Sequence, residues 1–184
     1  MRVVTDAEMH ECLSHFTELR VEPKAVAFHN PQSKIINVDL RVAEPHQLLW
    51  LARLAASLTE PEKDFRGAYL WITQWGVWDP NVEAVGFNTL ERYRQGFGEN
   101  RSLTTAAGHV FRHDEFLSSV PCLVQPMLVG WDAYYIPHTA AGDFEYFLFV
   151  SHDSFLEIHT RTDKAHREAN QRLEALSWVK RCVT

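Results

Sequence analysis

The sequence predicts one mixed α/β domain of the α+β type over residues 1–184, with helices packed on a mixed or antiparallel sheet. Segments with a 3.6-residue apolar rhythm alternate with short β-type runs, but they do not follow a strict strand–helix–strand order. The 184 residues show no internal repeat and no linker, and this length is typical of one domain. An apolar share of 46% and a charged share of 23% are those of an ordinary globular protein.

The N-terminal part of the chain is predicted to contain a helix and a β-hairpin. Thr5 and Glu8 have the spacing of a capping box, and the apolar rhythm after them predicts a helix over about 6–18. Residues 25–28 and 36–42 are β-type runs, and an Asn-Pro pair between them favours a turn. We therefore expect these two runs to pair with each other.

The middle of the chain is predicted to contain two helices around a central strand. A proline that follows Glu44 suits the first position of a helix, and the apolar stripe after it predicts a helix that ends near Pro61. Residues 67–75 are apolar at both alternating sets of positions, which is typical of a strand buried on both faces. We expect this strand to form the core of the fold. A further helix is predicted over about 90–97.

The C-terminal half is predicted to contain a second hairpin and several helices. An apolar helical stretch near 116–128 contains two prolines, so we expect it to kink or restart. The β-type runs 133–136 and 145–150 predict the hairpin. The segment 151–154 has N-cap residues and is predicted to open a helix through Ile158. The charged tail from Asp163 to Arg181 predicts a last helix.

Charge and cysteine content exclude several functional classes. The formal charge of −6 and the pI near 5.9 argue against a surface that binds nucleic acid through massed Lys and Arg. The three cysteines form no C-x-x-C pair, so neither a disulfide framework nor a cysteine zinc site is indicated, and a reducing interior fits best. No apolar run suits a signal peptide or a membrane span. We expect a cytoplasmic protein that binds neither nucleic acid nor membrane.

Four motifs resemble those of a family of uncharacterised bacterial proteins. They are Trp71-Ile72-Thr73-Gln74-Trp75-Gly76-Val77-Trp78, Gly108-His109-Val110-Phe111, Gly130-Trp131-Asp132 and Ser151-His152-Asp153. The resemblance covers about residues 70–158, roughly half of the chain. It implies a shared fold and no assigned activity, cofactor or partner. Pro121 and Pro126 depart from the uninterrupted helix that it implies.

Metal binding has one weak indication. His109 and His113 are four residues apart, which places both on one face of a helix or a strand, the minimum for two ligands of one metal ion. No His-Glu-x-x-His is present, and a third ligand would have to come from elsewhere (Asp114, Glu115, His152 or Asp153). We favour the alternative in which His109 caps a turn and His113 starts a helix. No metal and no cofactor is predicted.

Catalytic motifs are equally weak. Ser151, His152 and Asp153 are the residue types of a catalytic triad, but adjacent residues point in different directions and a triad needs side chains from separate elements. The chain has no Gly-x-Ser-x-Gly elbow and no glycine-rich phosphate loop. Cys12 and Cys122 lie on apolar stripes, where burial keeps a thiol unreactive. We assign no catalytic residue.

Aromatic residues give the strongest indication of a binding site. Six tryptophans are present, and most large rings fill protein cores. The alternative is that three of them gather at one end of the central strand and leave an aromatic patch exposed, with Arg92 or Arg94 beside it. Trp, Tyr and Arg dominate the energetics of many interfaces. The predicted binding residues are Trp75, Trp78, Arg94, His109, Trp131, His152 and Asp153.

Three functions follow from these observations. The first is a non-enzymatic domain of the immunity or adaptor kind, which binds a protein partner or a small ligand and prefers a basic partner because its own surface is acidic. The second is a hydrolase-type enzyme that uses His109, His152 and Asp153, with or without a metal ion. The third is a subunit that buries its aromatic face in a homo-oligomer.

Overall fold

One large antiparallel sheet organises the chain. The computed structural model describes residues 1–30, 33–41, 46–60, 65–75, 80–139, 144–176 and 180–181. Five helices occur in these ranges: α1 (Asp6–Ser14), α2 (Gln47–Thr59), α3 (Pro80–Gln95), α4 (Phe116–Val129) and α5 (Asp163–Glu174). The strands there are β1 (Arg2–Val4), β2 (Leu19–Glu22), β3 (Ala25–Phe28), β4 (Lys34–Asp39), β5 (Phe65–Gln74), β6 (Gly108–Arg112), β7 (Asp132–Thr139), β8 (Tyr146–Ser151), β9 (Phe155–Thr160) and β10 (Lys180–Arg181).

Eight of the described strands form the large sheet in the order β1-β6-β5-β7-β8-β9-β4-β10, and each of its pairs is antiparallel. β2 and β3 form a separate two-stranded hairpin. The predicted α+β fold class is confirmed. No described helix has both the length and the apolar character needed to cross a bilayer.

The two faces of the sheet are covered by different elements. On one, which we call the helical face, residues of α2, α4 and α5 pack against the strands, with Leu54, Leu123 and Leu173 among the buried side chains. On the other, which we call the outer face, α1 and the β2–β3 hairpin pack around Trp71 and Phe147. The core therefore has two layers of apolar side chains, one on each side of the sheet.

Strand β5 shows why both faces must be covered. Its side chains alternate between the two cores, so that Leu70 belongs to the helical face and Trp71 to the outer face. A strand that is apolar at both alternations leaves no face that can be solvated. β5 lies between β6 and β7 and is buried along most of its length, as predicted.

Local sequence determines where the terminal helices begin. The Thr5 hydroxyl accepts a hydrogen bond from the Glu8 backbone, and the Glu8 carboxylate accepts from the Thr5 backbone at 2.7 Å, so the predicted capping box is confirmed. α5 begins in the same way, with the Thr162 hydroxyl accepting from the Ala165 backbone N–H. Both caps satisfy backbone donors that a helix leaves free at its N-terminus.

The first predicted hairpin is wrong. The run 25–28 pairs with the preceding strand β2, to which a short turn that contains Pro23 connects it. Strand β4 pairs instead with β9 and β10. The missed signal is the β-type run Leu19–Glu22, which lies closer to β3 than β4 does. The predicted turn residues Pro31 and Gln32 lie outside the described residues.

The predicted helix after Ser151 is also wrong, because residues 155–160 form strand β9. Leu156 and Ile158 are buried, whereas Glu157 and His159, which alternate with them, are only partly buried. This alternation is the two-residue period of a strand. Near the C-terminus, α5 ends at Glu174 and Lys180–Arg181 form β10, so the last helix is shorter than predicted.

The other predicted elements are found with adjusted ends. β7 and β8 form the expected second hairpin, and α2 is found, although its predicted entry at Pro45 lies outside the described residues. α3 begins at Pro80, well before the predicted residue 90. α4 runs without interruption from Phe116 to Val129 with both prolines inside it, so no restart occurs.

Gly67 in β5 should be the least replaceable glycine of the sheet. A Cβ atom there would lie 2.4 Å from the carbonyl oxygen of Phe111, a backbone atom that cannot swing away. We expect Gly67→Ala to lower the free energy of unfolding by about 1–3 kcal/mol, as other forced overpacking does. Urea denaturation measures the change. Gly98→Asn is the control, because nothing lies within 4 Å of that position and asparagine tolerates its positive φ of 82°. Equal stability of the two variants would contradict this prediction.

Candidate functional site

The predicted site residues fall into two separate groups. Trp75, Trp131, His152 and Asp153 meet where β5 ends, β7 begins and β8 ends. Arg94 and His109 form a second group inside the protein on the helical face. Trp78 lies outside the described residues. The single exposed cluster expected from the sequence is therefore not what the structure shows.

Trp75 closes the end of the sheet. Its ring centroid lies 5.0 Å from that of Trp131 in an edge-to-face arrangement and 4.9 Å from that of Phe87 in α3. Trp75 packs against the cores of both faces and keeps part of its surface exposed, whereas Trp131 is fully buried. Of this pair, only Trp75 can contact a partner, which corrects the expectation that Trp131 is exposed.

The end of α4 places an aspartate beside Trp131. Gly130 ends the helix with φ 71°, a left-handed conformation that glycine adopts without strain, and its N–H donates to the carbonyl of Pro126. The chain then turns into β7, so that Trp131 enters the helical-face core and Asp132 begins the strand. Only 9% of Asp132 is exposed.

His152 lies in the tight turn between β8 and β9. Ser151 pairs with Phe155, which leaves a three-residue loop whose last residue, Ser154, has φ 64°. This is the conformation of a hairpin turn that ends in a left-handed residue, a position that costs a serine some strain. The backbone N–H of Ser154 donates to the carbonyl of Ser151 at 3.1 Å, which holds the turn closed.

Asp132 holds His152 by two hydrogen bonds. One oxygen of its carboxylate accepts from the His152 backbone N–H at 2.7 Å and from the ring Nδ1 at 2.8 Å. The other ring nitrogen, Nε2, lies 3.7 Å from a carboxylate oxygen of Asp153, whose side chain is 67% exposed. The hydrogen bond to Asp132 raises the pKa of His152, and the Asp153 charge acts in the same direction. We call Asp132, His152 and Asp153 the edge site.

A row of aromatic and acidic side chains continues from the edge site across the outer face. Tyr134 pairs with Phe149 across β7 and β8, and Phe149 pairs with Glu157 across β8 and β9. The ring centroids of Tyr134 and Phe149 are 4.9 Å apart. Phe155 lies two residues before Glu157 on the same face. We call Tyr134, Phe149, Phe155 and Glu157 the outer patch.

The outer patch is acidic and partly exposed. Phe149, Phe155 and Glu157 each keep part of their surface in solvent, and Ile35 on the same face of β4 is 48% exposed. Asp132, Glu157 and Glu22 of the hairpin all lie near Tyr134 and, with burial as the largest cause, raise the pKa of its phenol. The Glu157 carboxylate lies 2.7 Å from the ring of His159.

The residues of the outer patch were not predicted from the sequence. The predicted helix after Ser151 is incompatible with the alternation that puts Phe155 and Glu157 on one face. The sequence indicates Tyr134 and Phe149 only as parts of a predicted hairpin. Asp132 was noticed only within the Gly130-Trp131-Asp132 motif. The available signal is the two-residue period of β7, β8 and β9, from which the members of one face follow.

Arg94 and His109 are fully buried on the helical face. Arg94 lies in the last turn of α3 and donates one hydrogen bond, from Nη2 to the Arg101 carbonyl at 3.3 Å. Within the described ranges its Nε and Nη1 and both ring nitrogens of His109 have no hydrogen-bond partner. Both residues were predicted to bind a partner at the surface, and their burial corrects that expectation.

Burial makes His109 a neutral residue. Burial, with the nearby Arg94 charge as the second cause, lowers the pKa of His109 to about 3, because both disfavour a positive charge on the ring. The backbones of Leu70 and Ala107 oppose this shift without reaching hydrogen-bond geometry. Glu99 and Glu91 lie near Arg94, but Glu99 bonds Arg101 and Glu91 accepts from the Leu103 backbone.

His109, His113 and His152, which the sequence offers as possible ligands of one metal ion, do not converge in the structure. His109 lies in β6, and two strands, β5 and β7, separate it from β8 and the following His152, so the strand spacing puts β6 and β8 roughly 14 Å apart. His109 is buried whereas His113 is exposed. Among the residues that the structure describes, no three His, Cys, Asp or Glu side chains converge as metal ligands. Burial raises the pKa of the Cys122 thiol to about 12, so it is unreactive, as predicted.

Comparison of the chain with models of protein families, with curated proteins and with solved structures finds no match. The resemblance to uncharacterised bacterial proteins therefore stays a prediction. Function has to be inferred from the geometry of the edge site and the outer patch.

Acid should destabilise the protein through His109. Because its pKa falls from 6.5 to about 3 on folding, the unfolded chain binds more protons at intermediate pH. Stability is therefore lost as the pH falls below about 6.5, by up to about 1.4 kcal/mol per pH unit until the folded ring itself protonates. We expect His109→Leu to flatten this loss in urea unfolding measured between pH 6.5 and 4.5. His113→Leu, at an exposed position, should keep the wild-type slope. A wild-type slope in His109→Leu would refute the assignment.

Asp132 should control the titration of His152. Removing its negative charge removes the largest cause of the raised pKa, so Asp132→Asn should move the pKa of His152 back toward 6.5. NMR titration of the ring protons measures it directly. Asp153→Asn should produce a smaller decrease, because that carboxylate is farther away and more exposed. A larger effect of Asp153→Asn would show that the hydrogen bond to Asp132 is not the dominant cause.

Proposed function

We propose that this protein is a non-enzymatic recognition domain that binds a basic segment of a protein partner through the edge site and the outer patch. The observation that carries the proposal is the alignment, along one sheet face, of partly exposed aromatic rings with the carboxylates of Asp132, Asp153 and Glu157. This surface differs from the one expected from the sequence, but it serves the same kind of function.

The chemistry of this surface suits lysine and arginine side chains. Aromatic faces attract ammonium and guanidinium groups, by about 0.5–1 kcal/mol at exposed positions. Phe149 and Phe155 offer such faces, and Glu157 provides a charge next to both, opposite Phe149 in the register and two residues after Phe155 in β9. Trp75 adds a large, partly exposed ring beside the edge site, and Trp is among the residues that most often dominate binding energies. The surface therefore combines apolar contact with charge attraction.

The charge of the whole chain supports the same partner class. A formal charge of −6 would attract a basic segment over a distance and accelerate its association. Close to the patch, the exposed cation Arg41 forms an ion pair with Asp39 at 2.9 Å. The cytoplasmic location that the unpaired cysteines suggest is part of this proposal and would give access to such partners.

A hydrolase-type enzyme is a second candidate, and one observation favours it. The hydrogen bond from Nδ1 of His152 to Asp132 is how a carboxylate orients a histidine that acts as a general base. The version that also used His109 does not fit, because His109 is distant and buried. Hydrolysis of an activated ester that disappears in His152→Gln would support the enzyme.

Glu157 should contribute to binding of a basic probe. We expect the labelled peptide deca-lysine to bind the protein, with an affinity that falls about fivefold in Glu157→Gln, because a charge pair near 4 Å in water contributes roughly 1 kcal/mol. Fluorescence anisotropy at fixed ionic strength measures the dissociation constant.

Glu168→Gln is the matched control for net charge. Glu168 lies on α5, whose apolar side chains pack on the helical face, and has a nitrogen-bearing neighbour, Lys164, at 3.7 Å, as Glu157 has His159. It should bind the probe within about twofold of the wild type. Equal weakening by both substitutions would mean general attraction to an acidic protein, and absence of binding would overturn the proposal. A stable dimer by light scattering, with the probe excluded, would assign the surface to a second copy of the chain.

A further inference from the structure

The ring of His152 can take up a proton at the edge site, which is part of the surface proposed to bind cations. Its ring lies between two carboxylates, with Nδ1 2.8 Å from Asp132 and Nε2 3.7 Å from Asp153. Within the described residues, these are the charged groups that act on it, one from β7 and one from its own turn. The ring is 27% exposed, so it can exchange its proton with solvent without any opening of the fold.

The proton of His152 and a bound cation require the same two charges. When the ring is protonated, the edge site holds two negative charges and one positive charge. When the ring is neutral, both negative charges are available to a partner. A lysine or arginine of the partner next to Asp153 would also repel the imidazolium, so binding lowers the pKa of His152 and favours release of its proton.

Among the described residues of this surface, His152 is the histidine whose ring lies between two carboxylates. His159 lies on the same face and contacts Glu157, but its ring is stacked on Phe147 with centroids 4.4 Å apart and contacts one carboxylate rather than two. Asp132 is nearly buried and is held by the backbone N–H of His152 as well as by the ring, so it stays in place when the ring loses its charge. The change on deprotonation is thus one of charge and not of shape.

We propose that His152 is a pH gate for the basic partner: its proton occupies the edge site in acid, and loss of that proton at neutral to alkaline pH strengthens binding. This inference rests on the proposed function and adds its regulation. The fixed position of the ring between Asp132 and Asp153 carries it, and the raised pKa of His152 places the transition above the ordinary value of 6.5. The free protein holds the proton most tightly, and a bound cation weakens that hold.

Deca-lysine binding between pH 5.5 and 8.5 tests the gate, because the lysines stay charged over this range. At constant ionic strength the wild-type affinity should rise by about fivefold with pH, as expected for one like charge removed a few ångströms from the ligand. His152→Gln, which cannot take up the proton, should bind at pH 5.5 nearly as tightly as the wild type does at pH 8.5. The chain has ten histidines, and its net charge can therefore change with pH for reasons other than His152, so the decisive quantity is the difference between the two proteins.

His159→Gln is the control for a generic histidine effect and should keep the wild-type pH dependence. NMR titration of His152 with and without the probe gives a second readout, a lower pKa in the complex. Binding with the same pH dependence in wild type and His152→Gln, or an unchanged His152 pKa in the complex, would overturn the gate and leave the proposed function standing. Absence of probe binding at every pH would overturn both.

Discussion

The fold depends on one strand that cannot be solvated on either face. β5 sends Leu70 and Ile72 to one side and Trp71 to the other, and all three are buried. Because water can cover neither face, helices have to pack on one side, and α1 with the β2–β3 hairpin has to pack on the other. The outer cover is the smaller of the two. β9 lies farther from β5 in the sheet, and its outer side chains Phe155, Glu157 and His159 remain only partly covered, as does Phe149 of β8.

The incomplete cover explains where the candidate site lies. Three elements end at the same edge of the sheet. Strand β5 ends at Gln74, helix α4 ends at Gly130, and the β8–β9 turn places His152 against Asp132. Three elements that are fixed by the core thus contribute one residue each to a small exposed surface. Side chains on such a support lose little freedom when a partner binds, which lowers the entropic cost of association. The strain of Ser154 is retained because the pairs on both sides of the turn hold it.

Patterns of short range were enough to predict much of the fold. The capping box of α1, the two-sided burial of β5 and the β7–β8 hairpin are predicted because each depends on residues no farther apart than Ala133 and Val150. The pairing of β4 with β9 joins residues more than one hundred positions apart, and no local pattern indicates it. The same limit applied to the site. The sequence indicates Trp75, Trp131, His152 and Asp153 as unusual residues. The separation of His109 from β8 follows from the strand order, and that of Arg94 from its place in the last turn of α3.

His109 and His152 show why residue type alone does not indicate function. Both are histidines beside charged side chains, but His109 is buried near the cation Arg94 and His152 is exposed between two carboxylates. The first environment removes the proton and the second retains it, so the two pKa values move in opposite directions from the same starting point. A neutral buried ring can serve the core and cannot respond to mild changes of pH while the protein stays folded. The partly exposed ring of His152 can respond, because solvent reaches it and its proton changes the net charge of the edge site. Any pH sensitivity of recognition by this chain is therefore expected at the edge site, and any acid sensitivity of its stability at the buried pair.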